Sequence, residues 1–265
     1  MFAAGTPICR PARAPLPDMR LTVIGCGDAF GSGGRFNTCF LIQGATTTIL
    51  LDCGASSMVA LKAAGVDLAA IDGIIISHLH GDHFGGLPFF LLDAQFLTRR
   101  KKPLVIGGPP GTRSRISAAL EVFFPGSATT KWRFGLQVEE IAVGFPHETC
   151  GYAVQTTEVI HQSGAPSTAV RISDGRRILA FSGDTEWTDA LYGVAAGADL
   201  CIIECYEFAL RLPGHMSWSD LEPRLPLLNA GKIMLTHMNP SMLKQQDMLR
   251  GTGVLLAEDG LVYEF

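Results

Sequence analysis

The stretch Gly73-Ile-Ile-Ile-Ser-His78-Leu-His80-Gly-Asp82-His83 decides the reading, because an apolar strand runs directly into a dense set of ligand-type side chains. Leaving a strand, positions 78 and 80 still share one side by the two-residue period, so both imidazoles can reach one ion. Asp82 and His83 diverge from that pair and can serve a second ion. Gly81 permits the tight turn between the two sets. Packing does not account for such a cluster, since uncompensated polar groups at a strand end are costly to bury.

Working outward, the chain has seven histidines, and those outside the motif are His147, His161, His215 and His237. His161 follows the apolar run TTEVI, His237 follows KIMLT, and Asp184 follows ILAFSG. Ligand-capable residues at the carboxyl ends of strands converge on one rim of a sheet. Each alone would be unremarkable; with the motif they make a site. His147 follows Pro146 in an expected turn and reads as a surface histidine.

Strands are expected at 21–25, 39–43, 47–52, 73–77 and 104–107, with helices at 55–64, 86–98 and 112–124. The middle, 133–181, is strand-dominated. The last third alternates helix 186–195, strand 199–204, helix 217–228, strand 232–236 and helix 240–250, with closing strands to Phe265. Two halves of this kind predict an α/β (α+β) four-layer αββα sandwich, in which two mixed β-sheets pack face to face with helices outside.

Composition bounds the function. At 265 residues, with 47% hydrophobic and 17% charged, the chain can bury a full core without disulfides. A net charge of −4 and a pI of about 6.0 have the wrong sign for gripping nucleic acid through the overall field. No apolar run is long enough for a membrane span, so no membrane partner is expected. The seven cysteines form no C-x-x-C pair and read as buried thiols of a cytoplasmic protein. Residues 1–19 read as a disordered lead-in, or as an upstream start with Met19 as the natural beginning, and 20–265 as one domain. The run Arg99-Arg100-Lys101-Lys102 reads as a solvated helix terminus, with phosphate or RNA contact as the alternative.

The intact H-x-H-x-D-H resembles the signature of the metallo-β-lactamase superfamily, and the likeness extends from Arg20 over nearly the whole chain. It implies an αββα sandwich with two divalent metal ions: one on His78, His80 and His161, the other on Asp82, His83 and His237, with Asp184 bridging. Zinc suits these ligands, and manganese or iron can occupy them.

Leu21–Leu41 and Ile202-Ile203-Glu204-Cys205, followed by Gly214-His215-Met216-Ser217, resemble the ribonuclease Z branch, although Cys205 and Met216 depart from its commonest residues. The resemblance implies that His215 protonates a leaving oxygen, with Glu204 as its partner or as a structural carboxylate. Asp82 would orient a metal-bridging hydroxide. Arg35 could meet a substrate phosphate and Asn37 could add a hydrogen bond, or both could stabilise the glycine-rich loop.

Members of that branch that process tRNA carry a long arm between the ligands matching His161 and Asp184. Here only residues 162–183 intervene, which argues against tRNA and for a phosphodiesterase on small or cyclic substrates. The alternatives are a lactonase, thioesterase or arylsulfatase of the same fold, or a non-hydrolytic accessory protein of cofactor biosynthesis. Homodimers are common in the branch.

Overall fold

The computed structural model describes residues 19–265, so the lead-in expected over 1–19 lies, but for Met19, outside the described residues. The first half supplies β1 (Arg20–Gly25), β2 (Cys39–Gln43), β3 (Thr48–Leu51), β4 (Gly73–Ile75), β5 (Leu104–Gly108) and β6 (Leu136–Glu140). The second supplies β7 (Pro146–Thr149), β8 (Tyr152–Glu158), β9 (Thr168–Ser173), β10 (Ile178–Phe181), β11 (Leu200–Glu204), β12 (Ile233–Thr236), β13 (Leu255–Leu256) and β14 (Val262–Glu264). These strands form two seven-stranded sheets, ordered β14-β1-β2-β3-β4-β5-β6 and β13-β12-β11-β10-β9-β8-β7. In each, an antiparallel part passes into a parallel part, at β3–β4 in the first and β10–β11 in the second. The expected pair of mixed sheets is present, and β14 returns the chain's end to the first sheet beside β1.

Side-chain parity builds the layers. Leu21, Val23, Phe40, Ile42, Ile49, Leu51 and Ile75 face the second sheet and meet Val170, Leu179, Phe181 and Ile202. The alternate residues Leu41, Leu50, Ile74 and Ile76 face outward, against α1 (Ser57–Ala63), α3 (Leu87–Leu92) and α4 (Thr112–Phe123). On the other side Cys201, Ile203 and Leu235 pack beneath α5 (Ala190–Ala195) and α6 (Trp218–Leu221). Strands buried on both faces need no polar alternation, which is why β4 and β11 read as continuous apolar runs. Burying each large side chain contributes roughly 1.5–3 kcal/mol.

Several helices are shorter than the sequence suggests. The one expected over 217–228 gives way after Leu221 to a tight 3₁₀ stretch over Glu222–Leu227, because Pro223 and Pro226 cannot donate to the α ladder. The one expected over 86–98 opens into a π-turn at Asp93–Leu97, where Gln95 turns aside to bond the Lys131 carbonyl and the Arg133 amide. The one expected over 186–195 begins only at Ala190, since Glu186 is held to the Ile160 carbonyl and to the Gly214 amide. The one expected over 240–250 is two pieces, α7 (Pro240–Leu243) and α8 (Gln246–Arg250).

Two readings of single residues are corrected. His147 is not in a turn but in edge strand β7, where Pro146 costs no central ladder bond, and it pairs with Glu139 at 2.8 Å. Arg100 is not solvated: it is 2% exposed. Its guanidinium donates to the carbonyls of Leu68, Ile71, Lys102 and Pro103, which knits the turn before β4 to the turn before β5. The six described cysteines are free thiols. Among the described residues no helix is long and apolar enough to cross a membrane.

Candidate metal centre

The carboxyl ends of β3, β4, β8, β10, β11 and β12 open at one edge of the sandwich, and each delivers a polar residue there. After β4 the chain passes Ser77 and His78 and enters α2 (Gly81–Phe84), with His80 extended at the helix N-cap. This turn is held by Asp52, which follows β3: its carboxylate accepts from the Ser77 amide at 2.7 Å and from the Ser77 hydroxyl at 2.8 Å. The same carboxylate stands 2.7 Å from Nδ1 of His83, so Nε2 of His83 faces the cleft. Asp52 was not singled out by the sequence reading. The signal was available, since TTILLD ends on a carboxylate just as ILAFSGD does.

From the second sheet, His161 follows β8, Asp184 follows β10 and His237 follows β12. Gly183 adopts φ 59, and a Cβ there would stand 2.6 Å from the Thr168 carbonyl, so only glycine allows this turn into Asp184. His237 itself sits at φ 60, as does Asp52, a conformation that costs non-glycine residues energy and that gathers at functional sites. Nδ1 of His161 donates to the Gly214 carbonyl at 2.7 Å, which turns Nε2 toward Nδ1 of His80, 2.9 Å away.

Every expected ligand is brought together. The donor atoms of His78, His80 and His161 form one group, and those of Asp82, His83, Asp184 and His237 form another, each with all atoms within 4.8 Å of one another. Asp184 lies between them: Oδ1 is 3.2 Å from Nε2 of His83, while Oδ2 is 3.3 Å from Nε2 of His237 and 3.8 Å from Nε2 of His78. Nε2 of His78, Nε2 of His83 and Oδ1 of Asp184 are fully buried without a hydrogen-bond partner. Orphaned donors converging in this way fit a divalent cation, which would satisfy them together.

The electrostatics suit the same purpose. Burial lowers His78, His161 and His237, leaving neutral imidazoles with lone pairs to offer. Asp82 and Asp184 remain ionised: burial opposes their charge, but the surrounding imidazoles, His83 on Asp82 and His237 and His83 on Asp184, hold both below the usual carboxylate range. His83 is also buried, yet Asp184, Asp82 and Asp52 together hold it up.

Glu204 and His215 stand beside this centre. Glu204 continues the inward parity of Leu200 and Ile202 on β11 and is wholly buried. It accepts from the Thr185 amide and lies 3.2 Å from Nδ1 of His215. Burial works against the charged ring, but the Glu204 hydrogen bond outweighs it and raises His215 to about 9. A donor nitrogen of His215 lies within 4.8 Å of ligand atoms of His161 and Asp184.

Tyr206, two residues beyond Glu204, stacks on the His215 ring at 4.7 Å and lies 5.9 Å from His237. The sequence reading missed it, although the two-residue period from Glu204 points to it. Arg35 and Asn37 serve the loop: Arg35 donates to the Ala257 carbonyl, and Asn37 donates to the Asp28 carbonyl and accepts from the Ser56 amide. Over the first ligand group opens a cavity of about 340 Å³, bordered by His80, His161, Gln162, Glu186 and His215.

A family model described as "Anti-Pycsar protein Apyc1" matches residues 19–261. The "Probable metallo-hydrolase YhfI" of Bacillus subtilis (strain 168) is 27% identical over 93% of this chain and 100% of its own. A "Ribonuclease Z" of Shouchella clausii (strain KSM-K16) is 26% identical over 82% of this chain and 87% of its own. The crystal structure of YhfI, described as a metallo-β-lactamase fold protein, superposes with a TM-score of 0.75 over 93% of this chain and 99% of its own, at 23% identity. That of a "New Diphosphatase from the PhnP Family" does so with a TM-score of 0.75 over 93% of this chain and 98% of its own, at 19% identity.

Proposed function

Because the chain belongs to the Apyc1 family, and with it to the ribonuclease Z-like branch of the metallo-β-lactamase superfamily of metal-dependent hydrolases, we propose that it is a two-metal phosphodiesterase acting on small or cyclic phosphodiesters. The observation that carries this reading is the Glu204–His215 pair set against a complete His/Asp cluster. An alkoxide leaving from phosphorus needs a proton, whereas the departing thiolates and activated phenolates of many other ester hydrolases do not.

His78, His80 and His161 would hold one ion, and Asp82, His83 and His237 the other, with Asp184 between them. Zinc suits this set, and manganese or iron can take the same donors. Bound divalent ions supply an acidified water and neutralise charge that builds on the phosphoryl oxygens. The chain's own groups do the rest. Asp82 accepts a hydrogen bond from the attacking water and orients it. His215, with Nδ1 engaged by Glu204, presents Nε2 and gives that proton to the leaving oxygen. Glu204 holds the ring in this orientation and stabilises its charge. Tyr206 stacks against the ring.

Residues 162–183 comprise a short loop and the β9–β10 hairpin, closed by a turn in which Asp174 accepts from the amides of Arg176 and Arg177. No arm projects from it, which supports small substrates over tRNA. The free thiols support a reducing, cytoplasmic setting.

The test is metal analysis of the purified protein together with a substrate panel: bis(p-nitrophenyl) phosphate, cyclic nucleotides, carboxylic and sulfate esters, and a tRNA precursor. Two ions per chain and turnover of the phosphodiesters are expected. Metal-loaded protein that cleaves only carboxylic or sulfate esters, only tRNA, or nothing at all overturns the reading.

A further inference from the structure

A second cavity, of about 360 Å³, adjoins the one over the first group of histidines and shares Glu186, Pro213 and His215 with it. Its remaining wall includes Trp187, Arg211, Asp220 and Arg224. The Arg224 guanidinium lies over the Trp187 indole, 4.8 Å from the ring centroid, and donates to the Asp220 carbonyl. Tyr192 meets the same indole edge-on at 5.2 Å, and Nε1 of Trp187 is fixed by Asp189 at 3.1 Å. Arg211 bonds the Asp220 carboxylate at 2.6 Å. The indole and guanidinium are therefore held in place as one platform. Arg211 is neutralised by its bond to the Asp220 carboxylate, so what Trp187 and Arg224 offer a ligand is chiefly a surface for π-stacking.

On the reading that this is a phosphodiesterase with His215 as general acid, a substrate bound at the metal centre must direct its departing oxygen toward His215. Whatever that oxygen carries then extends past Pro213 and Glu186 into the second cavity. We infer that this cavity is the leaving-group subsite, and that Trp187 and Arg224 select phosphodiesters whose leaving alcohol bears a planar aromatic ring. These two residues touch no reacting atom; they are specificity-determining contacts. A stacked ring gains roughly 1–3 kcal/mol on such a platform, so each side chain is expected to favour planar leaving groups by about tenfold or more.

The probe pair is methyl phenyl phosphate and methyl hexafluoroisopropyl phosphate, whose leaving groups are similar in acidity but differ in planarity. The metal-loaded enzyme is expected to show a higher kcat/KM on the phenyl ester, mostly through KM. Arg224→Ala and Trp187→Leu are each expected to lower that preference by about tenfold. Both enter as a ratio of two substrates on one protein, so a partly unfolded preparation cancels, and Arg224→Ala alters only a half-buried side chain. A preference unchanged in both variants, or absent from the wild type, overturns the subsite. A wild-type enzyme that cleaves neither diester, nor any other phosphodiester, instead overturns the function on which it rests.

Discussion

Oδ2 of Asp52 lies 2.7 Å from Nδ1 of His83, both side chains being completely buried. The bond crosses from the end of one strand to the turn after the next. It fixes which nitrogen of His83 faces the cleft, and through the Ser77 amide and hydroxyl it fixes the whole His78–His83 turn as well. Its position behind an imidazole is the one that outer-sphere carboxylates occupy around metal ligands.

Replacing Asp52 by Ala is therefore expected to weaken metal binding about 10–100-fold, without removing a ligand. Competition titration against a chromogenic chelator measures this. Unchanged affinity would remove Asp52 from the metal's support and leave it a purely structural carboxylate.

His215→Ala is expected to lower turnover about 10²–10⁴-fold on diesters with alkoxide leaving groups, and far less on nitrophenyl diesters, whose leaving group departs without a proton. Equal losses on both classes would count against the acid role.

The pH dependence follows from the same pair. A general acid works in its protonated form, and Glu204 raises His215 to about 9. Turnover of alkoxide substrates should thus persist through neutrality and fall as pH rises through about 9. Glu204→Gln removes the partner that raises the ring, so the falling limb should move to lower pH while nitrophenyl turnover keeps its profile. Superimposable profiles for wild type and variant would separate Glu204 from the acid.

Metal removal should be visible in stability as well as activity. An ion that binds only the folded chain adds about 2.7 kcal/mol at a hundred times its dissociation constant. Thermal scans with EDTA, and again after adding zinc or manganese, should show the midpoint fall and recover. A midpoint indifferent to chelation in a protein shown to contain metal would contradict a cluster whose orphaned atoms need the ion.

Arg100→Met should destabilise the fold by about 1–3 kcal/mol, because it strands several buried carbonyls. Arg100→Lys should recover only part of this, since one ammonium cannot reproduce the planar fork. Urea denaturation reads both. A Lys variant as stable as wild type would mean that charge, not geometry, matters there.

The sequence by itself marked out the candidate metal-binding side chains. His78, His80, Asp82, His83, His161, Asp184 and His237 each follow an apolar run, and the parity and direction of a strand are local properties that such runs encode. The mixed-sheet sandwich was legible for the same reason, through strands buried on both faces. Tertiary structure decided what those residues lean on. Asp52 behind His83, Gly214 behind His161, Tyr206 over His215 and Arg100 beneath two turns are contacts between segments remote in the chain. No periodicity records them. The H-x-H-x-D-H stretch names donor atoms, but only the packing of one sheet on the other sets which nitrogen faces the cleft and how far apart the two groups stand. Buried hydrogen bonds fix those choices, and a buried partner is defined by the fold rather than by its neighbours in sequence.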